Sequence, residues 1–226
     1  MKSQKRRQNA ARNIITFTDS YEQNKQRKQN EQQKSESTLS LAQVVFSLQT
    51  LRDKIWNNNA CKYVIETPNL LKSLITLVTF RLCTRLREEA NQQSLEVRNW
   101  SRWCLRNIQD NGDEQVHSEI DIQEYGRVIS FSYSTSGGKG EEQNQEIFNG
   151  LNFISRFLRA LHEGRNYQPQ FQPLPLLARR SDEQLEEEGA NEEIDAQMKN
   201  NGLGSGIKNW ANEAKAMQLN RFIYRH

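Results

Sequence analysis

Glu146-Ile147-Phe148-Asn149-Gly150-Leu151-Asn152-Phe153-Ile154-Ser155-Arg156-Phe157-Leu158-Arg159-Ala160-Leu161 is the stretch that decides the fold class. Ile147, Phe148, Leu151, Ile154, Phe157, Leu158 and Leu161 recur at three- and four-residue spacing, which lines one face of an α-helix. Gly164 supplies the stop, since glycine reaches the left-handed backbone that closes a helix. A helix with one apolar face needs a partner to cover it, and the rest of the chain offers several of the same kind.

Working outward, Leu41, Val44, Val45, Leu48, Leu51 and Ile55 form a similar stripe after a plausible cap at Ser37-Thr38. Thr67-Pro68 marks a second start, with proline at the first helical position, and Leu70, Leu71, Leu74, Ile75, Val78, Leu82 and Leu86 carry that helix to about Glu89. A polar break at Asn91–Ser94 precedes a third helix from Leu95 to Gln109, stopped by Asp110-Asn111-Gly112. Val116, Ile120 and Ile122 give a weaker one. Val128-Ile129-Ser130-Phe131-Ser132-Tyr133 alternates like a strand, although no partner strand is legible nearby. Ser134–Gly140 reads as a flexible loop. Beyond Gly164, residues 165–180 hold three of the four prolines and read as an extended connector. Residues 182–199 form an acidic helix, broken at Asn200–Gly206, and a last helix runs from Ile207 to Tyr224.

One-sided helices separated by short breaks bury their faces when helical hairpins stack at a period of about 40–47 residues. The expected fold is therefore all-α: an armadillo/HEAT-like right-handed α-solenoid of few repeats, with a compact helical bundle as the alternative. In front stands a disordered basic arm. The expected organisation is an arm over 1–37, armadillo-like repeats over 38–164, a proline-containing connector over 165–181, and an acidic helix with a closing repeat over 182–226.

The composition fits a chain with much of its length outside a core: 35% hydrophobic, 26% charged, with a mean hydropathy of −0.90. The net charge of +3 hides a polarity, basic over the first forty residues and acidic over 182–195. Cys61, Cys83 and Cys104 are odd in number and lack CxxC spacing, so they read as reduced thiols of an intracellular protein. The basic N-terminus lacks the apolar core of a secretory signal, and the apolar run Leu70–Cys83 is too short to span a bilayer. No enzyme is expected. His117, His162 and His226 lack metal-ligand spacing, and Gly137-Gly138-Lys139-Gly140 lacks the GxxxxGK[ST] pattern of a phosphate loop. No cofactor is expected either.

Glu96-Val97-Arg98-Asn99-Trp100-Ser101-Arg102-Trp103-Cys104-Leu105-Arg106-Asn107-Ile108-Gln109-Asp110-Asn111-Gly112 resembles the third helix of an importin α armadillo repeat. That family's W-A-L-x-N-I pattern stands here as Trp103-Cys104-Leu105-Arg106-Asn107-Ile108. Ile65-Glu66-Thr67-Pro68-Asn69-Leu70-Leu71-Lys72-Ser73-Leu74 is similar to the helix before it in a repeat. Leu185-Glu186-Glu187-Glu188-Gly189-Ala190-Asn191-Glu192-Glu193-Ile194-Asp195-Ala196 looks like the acidic opening of the family's last repeat.

The resemblance implies an adaptor in nuclear protein import, shared between cytoplasm and nucleus and without a membrane segment. Its partners would be an importin β-like receptor and proteins carrying basic nuclear localisation signals. Trp103 and Asn107, four apart on one helix face, would bind cargo. The indole would pack a lysine stem at ~0.5–2 kcal/mol per contact, and the amide would hold the peptide backbone. Lys5, Arg6, Arg7, Arg12, Lys25, Arg27 and Lys28 would form the importin-β-binding arm. Read from the residues alone, Trp103 is more often a core side chain than a binding wall, with Trp100 competing for either role. The same arm could neutralise nucleic-acid phosphates, a less favoured partner here, or be a solvated tail. The alternative function is a nuclear helical-repeat scaffold or nucleic-acid-associated protein without cargo recognition.

Overall fold

Ala10, Ala11, Ile14 and Phe17 stand three and four residues apart and make one stripe on a helix. In a computed structural model, which describes residues 2–29, 40–81, 88–134 and 144–219, that stripe is buried along a helix α1 (Lys2–Gln29). The described residues are all-helical, apart from one isolated antiparallel bridge between Arg165 and Phe171. The chain divides after Gly112 into two units, Met1–Gly112 and Asp113–His226, where the sequence had suggested boundaries near 38, 165 and 182.

In the first unit α1 packs on α2 (Leu41–Arg52) and α4 (Leu70–Val78). Phe17 and Tyr21 meet Phe80, with ring centroids 5.4 and 4.8 Å apart, and Asn13 Nδ2 donates to Ser47 Oγ at 3.1 Å. The expected disordered arm is therefore, over residues 2–29, a docked helix. The small Ala10 and Ala11 let its backbone approach its neighbours, and a pattern scan that counts large apolar residues overlooks them.

Ser40 caps α2 with a capping box: its Oγ accepts from Gln43 N, and Gln43 Oε1 accepts from Ser40 N. The cap expected at Ser37-Thr38 lies outside the described residues. A short α3 (Asn58–Glu66), unforeseen in the sequence, is capped by Asn57 Oδ1 accepting from Ala60 N at 2.9 Å. Pro68 lies in the turn before α4 and not at its first position; Asn69 enters with a left-handed φ of 63°. That helix ends at Val78, not near Glu89, because Phe80 turns in to meet α1. α5 (Glu88–Asn111) runs straight through the expected break at 91–94 and stops where Gly112 N donates to Ile108 O at 2.8 Å. It packs on α2, α3 and α4.

The second unit contains α6 (Glu114–Ile122), α7 (Tyr125–Ser130), α8 (Asn144–Glu163), α9 (Pro175–Glu187), α10 (Ala190–Gln197) and α11 (Gly206–Leu219). The run that alternates like a strand is α7 followed by a turn; Val128 and Ile129 bury against neighbouring helices, and no described strand pairs with it. The loop expected at 134–140 lies, after Ser134, outside the described residues, as does the end of the last helix beyond Leu219.

α8 is central, packed on α7, α9 and α11, with Leu151, Ile154, Phe157, Leu158 and Leu161 buried. Gly150 sits where α8 passes the end of α7: a Cβ there would lie 2.9 Å from Ser132 Cβ. Gly164 closes α8 at φ 72° as foreseen, and the following segment folds back with Leu174 N donating to Leu161 O at 2.7 Å. The connector is shorter than expected, since α9 begins at Pro175.

Candidate functional site

Charge separates the two units before any side chain is considered. The first holds nineteen Lys and Arg against ten Asp and Glu, a formal +9. The second holds twelve against eighteen, a formal −6.

Four of the arm residues singled out in the sequence stand exposed on α1: Lys5, Arg6, Arg12 and Lys25. They are held there because the opposite face is buried. Arg7 differs, lying half-buried with its guanidinium 4.0 Å from the Tyr63 ring centroid. Arg27 and Lys28 belong to the last turn of α1. No acidic residue occupies the first turn, so Lys5 and Arg6 add to the positive end of the helix dipole and cost stability there.

The second predicted pair, Trp103 and Asn107, lies on α5, and both residues are half-buried. Asn107 Nδ2 donates to the carbonyl of Arg52, the last residue of α2, at 3.0 Å. That bond satisfies a carbonyl which helix geometry leaves without an intrahelical partner, and it fastens α5 to the end of α2. Neighbouring Arg102 and Arg106 are buried, the latter paired with Asp110 at 2.8 Å. The same face carries Cys104, whose Sγ donates to Leu48 O at 3.3 Å; burial pushes that thiol far up and leaves it unreactive.

Sequence reading missed Arg52. Its guanidinium lies over the Trp100 ring, 4.8 Å from the centroid, and it pairs with Asp53 at 2.9 Å. Four residues on, Trp56 is 70% exposed. Four tryptophans in so polar a chain were the available signal, but nothing in the spacing of Trp56, Trp100 and Trp103 says that Trp100 lies beneath Arg52.

The second unit gathers titratable groups inside. His117 and Asp121, four apart on α6, are fully buried. His117 Nδ1 lies 3.0 Å from Asp113 O, its Nε2 has no hydrogen-bond partner, and its ring packs on Phe157 and Phe171. Burial, with the Arg165 charge assisting, lowers its pKa to about 4. Asp121 accepts from Ser181 Oγ at 2.6 Å and lies 3.6 Å from Arg180 Nε; burial raises its pKa against both. His162 Nε2 stands 3.6 Å from the buried Asp182 carboxylate.

No group of three or more His, Cys, Asp or Glu suited to a metal occurs among the described residues. No helix among them is long and apolar enough to cross a membrane. No protein-family model and no curated protein matches the chain.

Proposed function

We propose that the chain is a helical binding protein without catalytic activity, whose basic first unit docks on nucleic acid. One observation carries this reading: a +9 unit whose α1 presents Lys5, Arg6, Arg12 and Lys25 outward from a buried Ala10-Ala11-Ile14-Phe17 anchor. Phosphate neutralisation with counterion release is the interaction such a surface makes. A bilayer is less well served, because insertion needs an apolar helix face, and that of α1 is already spent on α2 and α4.

An armadillo-type stack is the finer proposal for the first unit. There α3, α4 and α5 pack on one another, with α1 and α2 laid against α4 and α5. In the second unit the most extensive packing, α8 on α11, skips two helices and favours the compact bundle.

The importin α-like adaptor, passing between cytoplasm and nucleus, is the second reading; the half-buried Trp103 and Asn107 at four-residue spacing favour it. Two features weigh against it: the Asn107 amide is engaged by Arg52 O, and a basic peptide would approach a basic unit.

Fluorescence anisotropy of the full chain separates the two, with a labelled oligonucleotide and a labelled basic nuclear-signal peptide titrated at several salt concentrations. The nucleic-acid reading expects oligonucleotide binding whose log–log salt slope approaches about −3 for four phosphate contacts on a single strand. Charge reversal at Lys5, Arg6 and Arg12 should flatten that slope. Saturable peptide binding lost in Asn107→Ala, with no oligonucleotide binding, would establish the adaptor instead.

A further inference from the structure

Arg52 is a junction. Its guanidinium lies 4.8 Å from the centre of the half-buried Trp100 ring, while its carbonyl accepts both Asn107 Nδ2 at 3.0 Å and Ile55 N–H at 3.2 Å. Those two bonds fix the turn after α2 against α5. Ile55 is fully buried; the next residue, Trp56, is 70% exposed; and Asn57 after it caps α3 through Ala60 N. Trp56 is thus carried on a short segment anchored at both ends, and its indole is left in water. Arg52 itself keeps about a third of its side chain exposed above Trp100.

We propose that Arg52, Trp100 and Trp56 form a base-stacking platform for single-stranded nucleic acid. The inference rests on the nucleic-acid reading above and supplies what a basic surface alone lacks, a preference for unpaired bases. Indole and guanidinium planes both stack on nucleobases whatever their sequence, because every base offers a π face. A duplex hides those faces, and an exposed tryptophan gains nothing from it. The occupant is chosen by charge: the platform belongs to the +9 unit, with Lys54 two residues from Trp56. Asp53, paired with Arg52, is the one carboxylate within the Arg52–Asn57 turn and offsets only part of that field. Arginine already stacked on Trp100 is also pre-oriented, so less side-chain freedom is lost on binding.

The test uses the full chain and three labelled probes of equal length, about 15 nucleotides: a thymidine single strand, the same sugar–phosphate strand without bases, and a duplex. The wild type should bind the single strand about tenfold more tightly than the abasic strand. Trp56→Ala should close that gap while leaving abasic and duplex affinities unchanged, and Trp56→Phe should restore most of it. Because Trp56 contributes little to the core, both variants should keep the wild-type circular dichroism. Equal wild-type affinity for the single and abasic strands would overturn the platform and leave the polyanion reading standing. So would a Trp56→Ala loss that is uniform across all three probes. Failure to bind any probe at low salt would remove both.

Discussion

The two units solve the same packing problem with opposite electrostatics. The first is basic outside and buries Arg102, Arg106 and two thiols; the second is acidic and buries His117, Asp121, Glu146, Asp182 and Glu193. Guanidinium groups stay charged at every accessible pH, whereas imidazole and carboxyl groups change charge. Through His117 and Asp121 the interior of the second unit responds to acid. Salt should act on the first through its partners, and protons on the second through its stability.

The largest effect expected from one substitution is at Gly164. Its φ of 72° disfavours any side chain, and a Cβ there would lie 2.7 Å from Phe171 O. Gly164→Ala should destabilise the second unit by about 3 kcal/mol, the sum of left-handed strain and overpacking. In a Trp210→Phe background, which removes the tryptophan of α11, Trp56, Trp100 and Trp103 report the first unit by fluorescence, and hydrogen exchange reports α8 in the second. A shift confined to α8 would confirm that the units unfold separately; a joint shift would break the comparison.

Acid comes next. His117 has a folded pKa of about 4 against 6.5 unfolded, so between those values the unfolded chain binds more protons. Stability should therefore be full above pH 6.5 and fall as pH drops toward 4, by an amount on the order of 2 kcal/mol. The protonated ring would face Arg165 and be eased only by Asp113. Asp121 works in the opposite sense: its raised pKa costs stability at neutral pH and returns it on protonation. In urea unfolding at pH 7 and 5, His117→Gln should flatten the loss in the second unit. A loss that persists unchanged in this variant would place the sensitive group elsewhere.

Asn107→Ala tests what fastens the first unit. Losing the bond to Arg52 O should cost about 1 kcal/mol by urea unfolding followed through tryptophan fluorescence in the same Trp210→Phe background. A variant as stable as the wild type would show that the amide is free for another role. The smallest expected change is Ser40→Ala, which removes the capping box of α2 and should lower first-unit stability by roughly 0.5–1 kcal/mol.

Large, regularly spaced apolar residues made α2, α8 and the C-terminal half of α5 legible, along with the stops at Gly112 and Gly164. Smaller signals were lost. α3 buries only Ala60, Cys61 and Val64, too little to stand out, and the break read at 91–94 is continuous helix in α5, with Gln92 and Gln93 exposed and Ser94 buried. Of the candidate site, the exposed α1 cations and the spacing of Trp103 and Asn107 were readable, but not the engagement of Asn107 or the place of Arg52.

The sequence by itself determined that the chain is mostly helical, that its charge is divided and which large residues of α2 and α8 are for the most part buried, because periodicity and composition are local properties. Only the tertiary structure decided that the basic segment is a docked helix and that Arg52 joins Trp100, Asn107 and the turn leading to Trp56. It also decided that His117 and Asp121 are sealed from water. Each of these depends on what another helix places opposite, and a contact across about fifty residues leaves no trace in the spacing of either partner.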